Sequence, residues 1–185
     1  MTPPREQSDI VLVPHDPSWA QAAAAESARW REVLGAVCSE VLHLGSTAIP
    51  GIAAKPVLDL FPVVVSLEAF ETLRTEIEAL GYEWRGEFGI AGRRYCVRVV
   101  DGKRRFNAHT FAQGSSQIAR HRHFRDYLIA HPEETRAYEA VKLAAVRAHQ
   151  QDLSAYNDFK SEWIRACDER AAAWAGSAVV TLPRR

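Results

Sequence analysis

Asp59 is the residue whose setting most needs a reason, because it interrupts an otherwise apolar run from Val57 to Val65. That pattern reads as a buried strand carrying one carboxylate, placed there for structure or for chemistry. Shortly before it, Lys55 precedes Pro56. The proline ring confines its neighbour to extended geometry, so the ammonium is presented from a stiff loop and an anion is its natural partner. Arg93, Arg94, Arg98, Arg104 and Arg105 crowd one stretch, and Arg120, His121, Arg122, His123 and Arg125 crowd another. Such clusters suit a groove for polyphosphate or a strand of RNA, with Tyr95, Phe106 or Trp84 available for stacking. Ion pairing is the simpler account of most of them: Arg122 stands four residues before Asp126 on a helix, and Arg125 is placed to bridge helices. Strand alternation puts Arg105, Asn107, His109 and Phe111 on one face and Arg104, Phe106, Ala108 and Thr110 on the other, which makes Arg105 and His109 pocket candidates.

Other chemistries fit poorly. Ser46 lacks the strand-to-helix elbow of a serine hydrolase. Cys38, Cys96 and Cys167 are far apart, with neither a CxxC nor metal-ligand spacing, so they read as free thiols of a reducing compartment. His121 and His123, two apart on a helix, diverge and make no metal clamp.

The elements that would position these residues follow from periodicity and punctuation. Asp9 to Val13 reads as a short strand or extended lead-in. A helix follows, with Asp16 as cap, Pro17 in its first turn and Gly35 near its end. Glu40 to Leu44 is a strand running into turn chemistry at Gly45 to Gly51. Val57 to Val65 is a second strand, and Pro62 marks it as an edge or a bend. Ser66 caps a helix to Leu80, stopped by Gly81. Tyr82 to Trp84, Arg93 to Val100 and Lys103 to Phe111 are strands, the last two joined by an Asp101-Gly102 hairpin. Three helices then complete the chain, over about 116–130, 132–150 and 154–174.

Size and composition are those of an ordinary globular chain: 185 residues, 47% apolar, 25% charged, with 23 basic and 23 acidic residues. Zero net charge gives no global reason to bind nucleic acid. No apolar run approaches a membrane span, and the irregular-looking opening Met1 to Gln7 lacks the apolar stretch of an export signal, so a cytoplasmic protein without membrane association is expected.

The run His43-Leu44-Gly45-Ser46-Thr47-Ala48-Ile49-Pro50-Gly51-Ile52-Ala53-Ala54-Lys55-Pro56-Val57-Leu58-Asp59-Leu60 resembles the signature of the GrpB family. Phe124 to Leu128, His131-Pro132-Glu133 and Tyr138 to Lys142 are similar to its second signature, and Tyr156 to Lys160 adds a third. The resemblance implies an α+β fold: a nucleotidyltransferase-like mixed sheet flanked by helices over 9–112, followed by C-terminal helices over 115–175 that pack on this core. It also implies kinship with the accessory domain fused to some dephospho-CoA kinases.

In such a fold the Gly-Ser turn holds phosphate, here through Gly45, Ser46 and Thr47 with Lys55, Arg105 and His109 contacting the anion. Asp59 would be the catalytic and metal-binding acid, for Mg²⁺ or Mn²⁺. The sequence departs at Phe61, where the second acid of that face is expected. His43 or His109 would have to replace it, and imidazole suits a transition ion better than magnesium. Without metal, Asp59 would accept hydrogen bonds from the Gly45 to Gly51 loop. Binding of a nucleotide or other small phosphate-bearing molecule is therefore expected, with metal-dependent nucleotidyl transfer if the protein is an enzyme. A folding-accessory or protein-interaction module with a protein partner is the first alternative, and an RNA or small-anion binder the second.

Overall fold

In the computed structural model, which describes residues 9–180, the expectation for Met1 to Gln7 lies outside the described residues. Helix α1 (Ser18–Leu34) starts where Asp16 Oδ1 accepts from the amide of Ser18 at 2.9 Å, and it buries Trp19, Ala23, Trp30 and Leu34. Strands β1 (Cys38–Leu44) and β2 (Leu58–Val64) follow, then short helices α2 (Leu67–Glu71) and α3 (Arg74–Ala79). Next come β3 (Tyr82–Trp84), β4 (Arg93–Val100) and β5 (Lys103–Ala112), then α4 (Ser116–Ala130), α5 (Pro132–His149) and α6 (Leu153–Val180). The five strands form one sheet in the order β1-β2-β5-β4-β3. It is mixed because β2 runs parallel to β5 while the other pairs are antiparallel.

Both faces of this sheet are covered. Leu58, Leu60 and Val64 pack with Ala108, Cys96, Trp30 and Phe70 under α1, whereas Phe61, Val63, Phe111 and Leu44 meet Ile118 of α4 on the opposite side. The loop between β1 and β2 is fastened to the C-terminal helices: Ile49 and Ile52 are buried against Tyr127, Leu128 and Tyr138. Helix α5 grips the same loop at one residue, since Glu139 Oε1 accepts from Ala53 N at 2.6 Å and Lys142 donates to Ala53 O.

Several expectations change. Of the two readings of Asp9 to Val13, the strand does not form, and the segment is a lead-in joined by a single bridge, Val13 to Ala54. The helix expected from Ser66 to Leu80 is two pieces, divided at Thr72 and Leu73, where the Thr72 hydroxyl turns back on Ala69 O at 2.7 Å. β2 is an interior strand despite Pro62. Its pairing to β5 runs from Leu58 to Leu60 and resumes at Val63, so the missing proline donor falls where the ladder is already interrupted. Helix α6 continues past Trp174 to Val180.

The expected faces of β5 are also revised near its start. Asp101 (φ 52) and Gly102 (φ 71) make the hairpin turn. Between Arg98–Phe106 and Val99–Arg104 the register then shifts, leaving Arg105 unmatched. A bulge of one residue inverts the alternation beyond it. Arg104 therefore takes the face of Asn107 and lines the cavity described below, while Arg105 is exposed and does not.

Candidate functional site

β1 ends at Leu44, directly opposite Asp59. Gly45 then turns the chain at φ 76, and a Cβ there would overlap Asp59 Oδ2. Only glycine suits both the backbone angle and the space. Ser46–Ala48 follow as a single 3-10 turn, with Thr47 buried.

Asp59 lies beside Asn107 in the parallel register of β2 and β5. Asn107 Nδ2 donates to Asp59 Oδ1 at 2.8 Å, and the Tyr95 hydroxyl donates to Asn107 Oδ1 at 2.9 Å. His109 Nε2 stands 3.5 Å from the same Asp59 oxygen. Its other nitrogen, Nδ1, is 3.3 Å from Arg93 Nη1, which can only donate, so the imidazole proton belongs on Nε2 and points toward the carboxylate. Burial alone would raise the Asp59 carboxyl; His109, Asn107 and Lys55 together hold it below the usual range. Its hydrogen bonds thus come from β5, and not from the Gly45 to Gly51 loop.

The C-terminal helices close a cavity of about 570 Å³ over this face, lined by Gly45, Ser46, Thr47, Lys55, Asp59 and His109 among the residues singled out in the sequence. His43 is absent from its wall. It pairs with Leu60 across β1 and β2, on the α1 face, and its Nε2 meets Thr47 Oγ1 at 2.9 Å. Burial pushes its pKa down to about 4.

What sequence reasoning missed is the cationic wall supplied by α5 and α6. Lys160 Nζ sits 3.9 Å from the centroid of the Tyr156 ring, with Lys55 Nζ 5.4 Å over the same ring and Lys142 Nζ 5.0 Å over Tyr138. Lys142 is only 1% exposed and Lys160 8%. Among the described residues none of these ammonium groups has a carboxylate at ion-pair distance. Burial pushes Lys160 down to about 7, aided by Lys55 and Lys142 and opposed by Asp59. Burial brings Lys142 to about 7 too, against the pull of Glu139. A signal was available: Tyr138/Lys142 and Tyr156/Lys160 repeat a Tyr-x-x-x-Lys spacing, which stacks ring and cation on one helical face.

Most of the arginines, by contrast, hold the fold together. Arg98 pairs with buried Glu26 at 2.7 Å, Arg94 with Glu71, and Arg120 with Asp168 at 2.7 Å. Arg122 reaches Glu40 at 2.7 Å instead of Asp126, which Arg125 occupies. Arg125 also ties α4 to β1 through His43 O at 3.1 Å, a helix-to-strand link where a helix-to-helix one was expected.

The donor set does not fit a protein-held Mg²⁺ or Mn²⁺. A hard cation wants several oxygen ligands, and Phe61, next after Asp59 on its face, is a buried ring stacked on His109 with centroids 4.8 Å apart. No group of three His, Cys, Asp or Glu among the described residues could hold an ion.

Sheet, loop and helices together define a small α+β protein with a cationic cavity between a mixed sheet and a C-terminal helical segment. The chain belongs to the GrpB family, whose profile, described as GrpB protein, matches residues 9–170. It is 37% identical to the UPF0157 protein YqkA of Bacillus subtilis (strain 168) over 171 residues, 92% of this chain and 49% of that protein. Similarity extends to a dephospho-CoA kinase of Mycolicibacterium paratuberculosis, 30% identical over 198 residues, 92% of this chain and 48% of the kinase. The chain thus spans about half the length of each of these relatives. The crystal structure of conserved protein GrpB from Enterococcus faecalis superposes with a TM-score of 0.82 at 31% identity, covering 87% of this chain and 96% of that one. No helix among the described residues is long and apolar enough to cross a membrane.

Proposed function

We propose that the cavity binds a small phosphate-bearing ligand, such as a nucleotide, and that it does so without a metal ion held by the protein. The observation that carries this reading is the set of Lys55, Lys142 and Lys160 facing one cavity with no carboxylate at ion-pair distance among the described residues. Burying unpaired cations is costly, and it is tolerated where an anion arrives to compensate. The Gly45-Ser46 turn offers backbone and hydroxyl donors at the same cavity, as the nucleotidyltransferase-like layout implied by the family resemblance would require. Asp59 serves as the fixed acceptor that keeps Asn107 and His109 in register. Calorimetry of ATP, GTP and CTP, each with EDTA, Mg²⁺ and Mn²⁺, tests the proposal. Binding that survives EDTA and is lost in Lys160→Met is the expected result; no heat with any nucleotide, while the protein is folded, ends it.

A second reading, a non-catalytic folding-accessory or protein-interaction module, is favoured by Phe61 standing where a second acid would be needed for metal-dependent transfer. The two readings are compatible if binding occurs without turnover. Release of pyrophosphate from a bound triphosphate in the presence of an acceptor would exclude the non-catalytic form.

A further inference from the structure

The loop from Arg85 to Gly92 crosses the lip of the cavity and presents Phe88, which lines it while remaining 63% exposed. Phe88 is held at φ 46, a left-handed conformation that an aromatic residue seldom adopts. The other left-handed positions of this loop, Gly86, Gly89 and Gly92, are all glycine. Folding gives no reason for the exception, because a glycine at 88 would relieve the backbone and remove an exposed apolar ring.

The conformation is nevertheless firmly held. Arg93 Nη2 donates to Phe88 O at 2.7 Å and its Nε to Glu87 O at 3.2 Å, while Glu87 Oε1 accepts from Gly92 N at 2.7 Å. The Phe88 ring rests on Tyr95 with centroids 5.3 Å apart, Tyr95 lies 5.0 Å from His109, and His109 stacks on Phe61 at 4.8 Å. Phe88 is the exposed end of a row of rings that line the cavity with the lysines. Strained positions held by their surroundings cluster at active sites and ligand clamps.

We propose that Phe88 is the stacking platform for a planar ring carried by the phosphorylated ligand. The ligand class is then a ring-bearing phosphate, of which a nucleotide is the simplest probe, and neither a bare polyphosphate nor a sugar phosphate. This rests on the phosphate reading of the cavity and adds the ring to it. The experiment compares ATP with inorganic tripolyphosphate by calorimetry on the full chain, for the natural protein, Phe88→Gly and Phe88→Trp. Because glycine relieves the backbone at this position, Phe88→Gly should melt no lower than the natural protein. ATP should bind about tenfold tighter than tripolyphosphate, the scale of one stacked base. Phe88→Gly should erase that difference without weakening tripolyphosphate, and Phe88→Trp should keep it. ATP no tighter than tripolyphosphate, or an unchanged preference in Phe88→Gly, overturns the platform and leaves the phosphate site standing. Silence from both probes in a folded protein removes the phosphate site itself, and the platform with it.

Discussion

Gly45 and Asp59 are fitted to each other: the carboxylate of Asp59 occupies the space that any side chain at position 45 would need. The contact follows from register, since Leu44 and Asp59 are partners across β1 and β2 and Gly45 is the next residue as the chain turns away. Gly45→Ala should therefore destabilise the protein by about 1–3 kcal/mol through backbone strain, plus the displacement of Asp59. In an Asp59→Ala background the same substitution should cost less, because only the strain remains. Melting of the four proteins as a double-mutant cycle checks this, and equal costs in both backgrounds would refute the steric fit.

Asp59 should shape the acid limb of stability. Its carboxyl is held below the ordinary 3.8, with burial opposed by His109, Asn107 and Lys55. Its contribution is therefore fully present above that value and is lost as pH falls through the lower, folded one. Urea midpoints measured from pH 6 to pH 2 should fall less steeply below pH 4 for Asp59→Asn than for the natural protein.

The buried lysines act in the opposite range. Lys142 and Lys160 titrate near 7 when folded, against 10.5 for an ordinary lysine. The cost of burying their charge is fully present below about pH 7 and disappears as pH rises toward the ordinary value, so stability should climb between pH 7 and pH 10. An anion favours the protonated forms. Binding at pH 8 should take up as many as about two protons, read from calorimetry in buffers of different ionisation heat, and affinity should weaken as pH rises.

Lys160→Met separates the two roles of that residue. Removing a cation that is 8% exposed and has no ion pair among the described residues should leave the melting temperature unchanged or higher, while anion binding falls by tenfold or more, about the worth of one charged hydrogen bond. A variant that melts several degrees lower and still binds normally would assign Lys160 to structure alone.

Arg104 and Arg105 make a paired test of the bulge in β5. Arg104→Ala should weaken ligand binding about tenfold, and Arg105→Ala should change it little, because only Arg104 lines the cavity. The reverse outcome would mean that the strand keeps regular alternation in solution.

Much of the fold was legible because its causes are local. An Asp-Gly pair makes a hairpin, and Pro132 opens α5. Asp59 and Lys55 were visible as chemistry by their neighbours alone, a carboxylate inside an apolar run and a cation fixed before proline. The bulge that exchanges Arg105 for Arg104 was not legible, since one unmatched residue shows only in the register of two paired strands. Nor was the setting of Lys142 and Lys160. The Tyr-x-x-x-Lys spacing marks a ring and a cation on one helical face, but the two buried lysines share a cavity wall only when α5 and α6 fold over the carboxylate of β2. Local sequence determined which residues could do chemistry; long-range packing decided which of them share a cavity, because desolvation and charge proximity exist only between elements brought together in space.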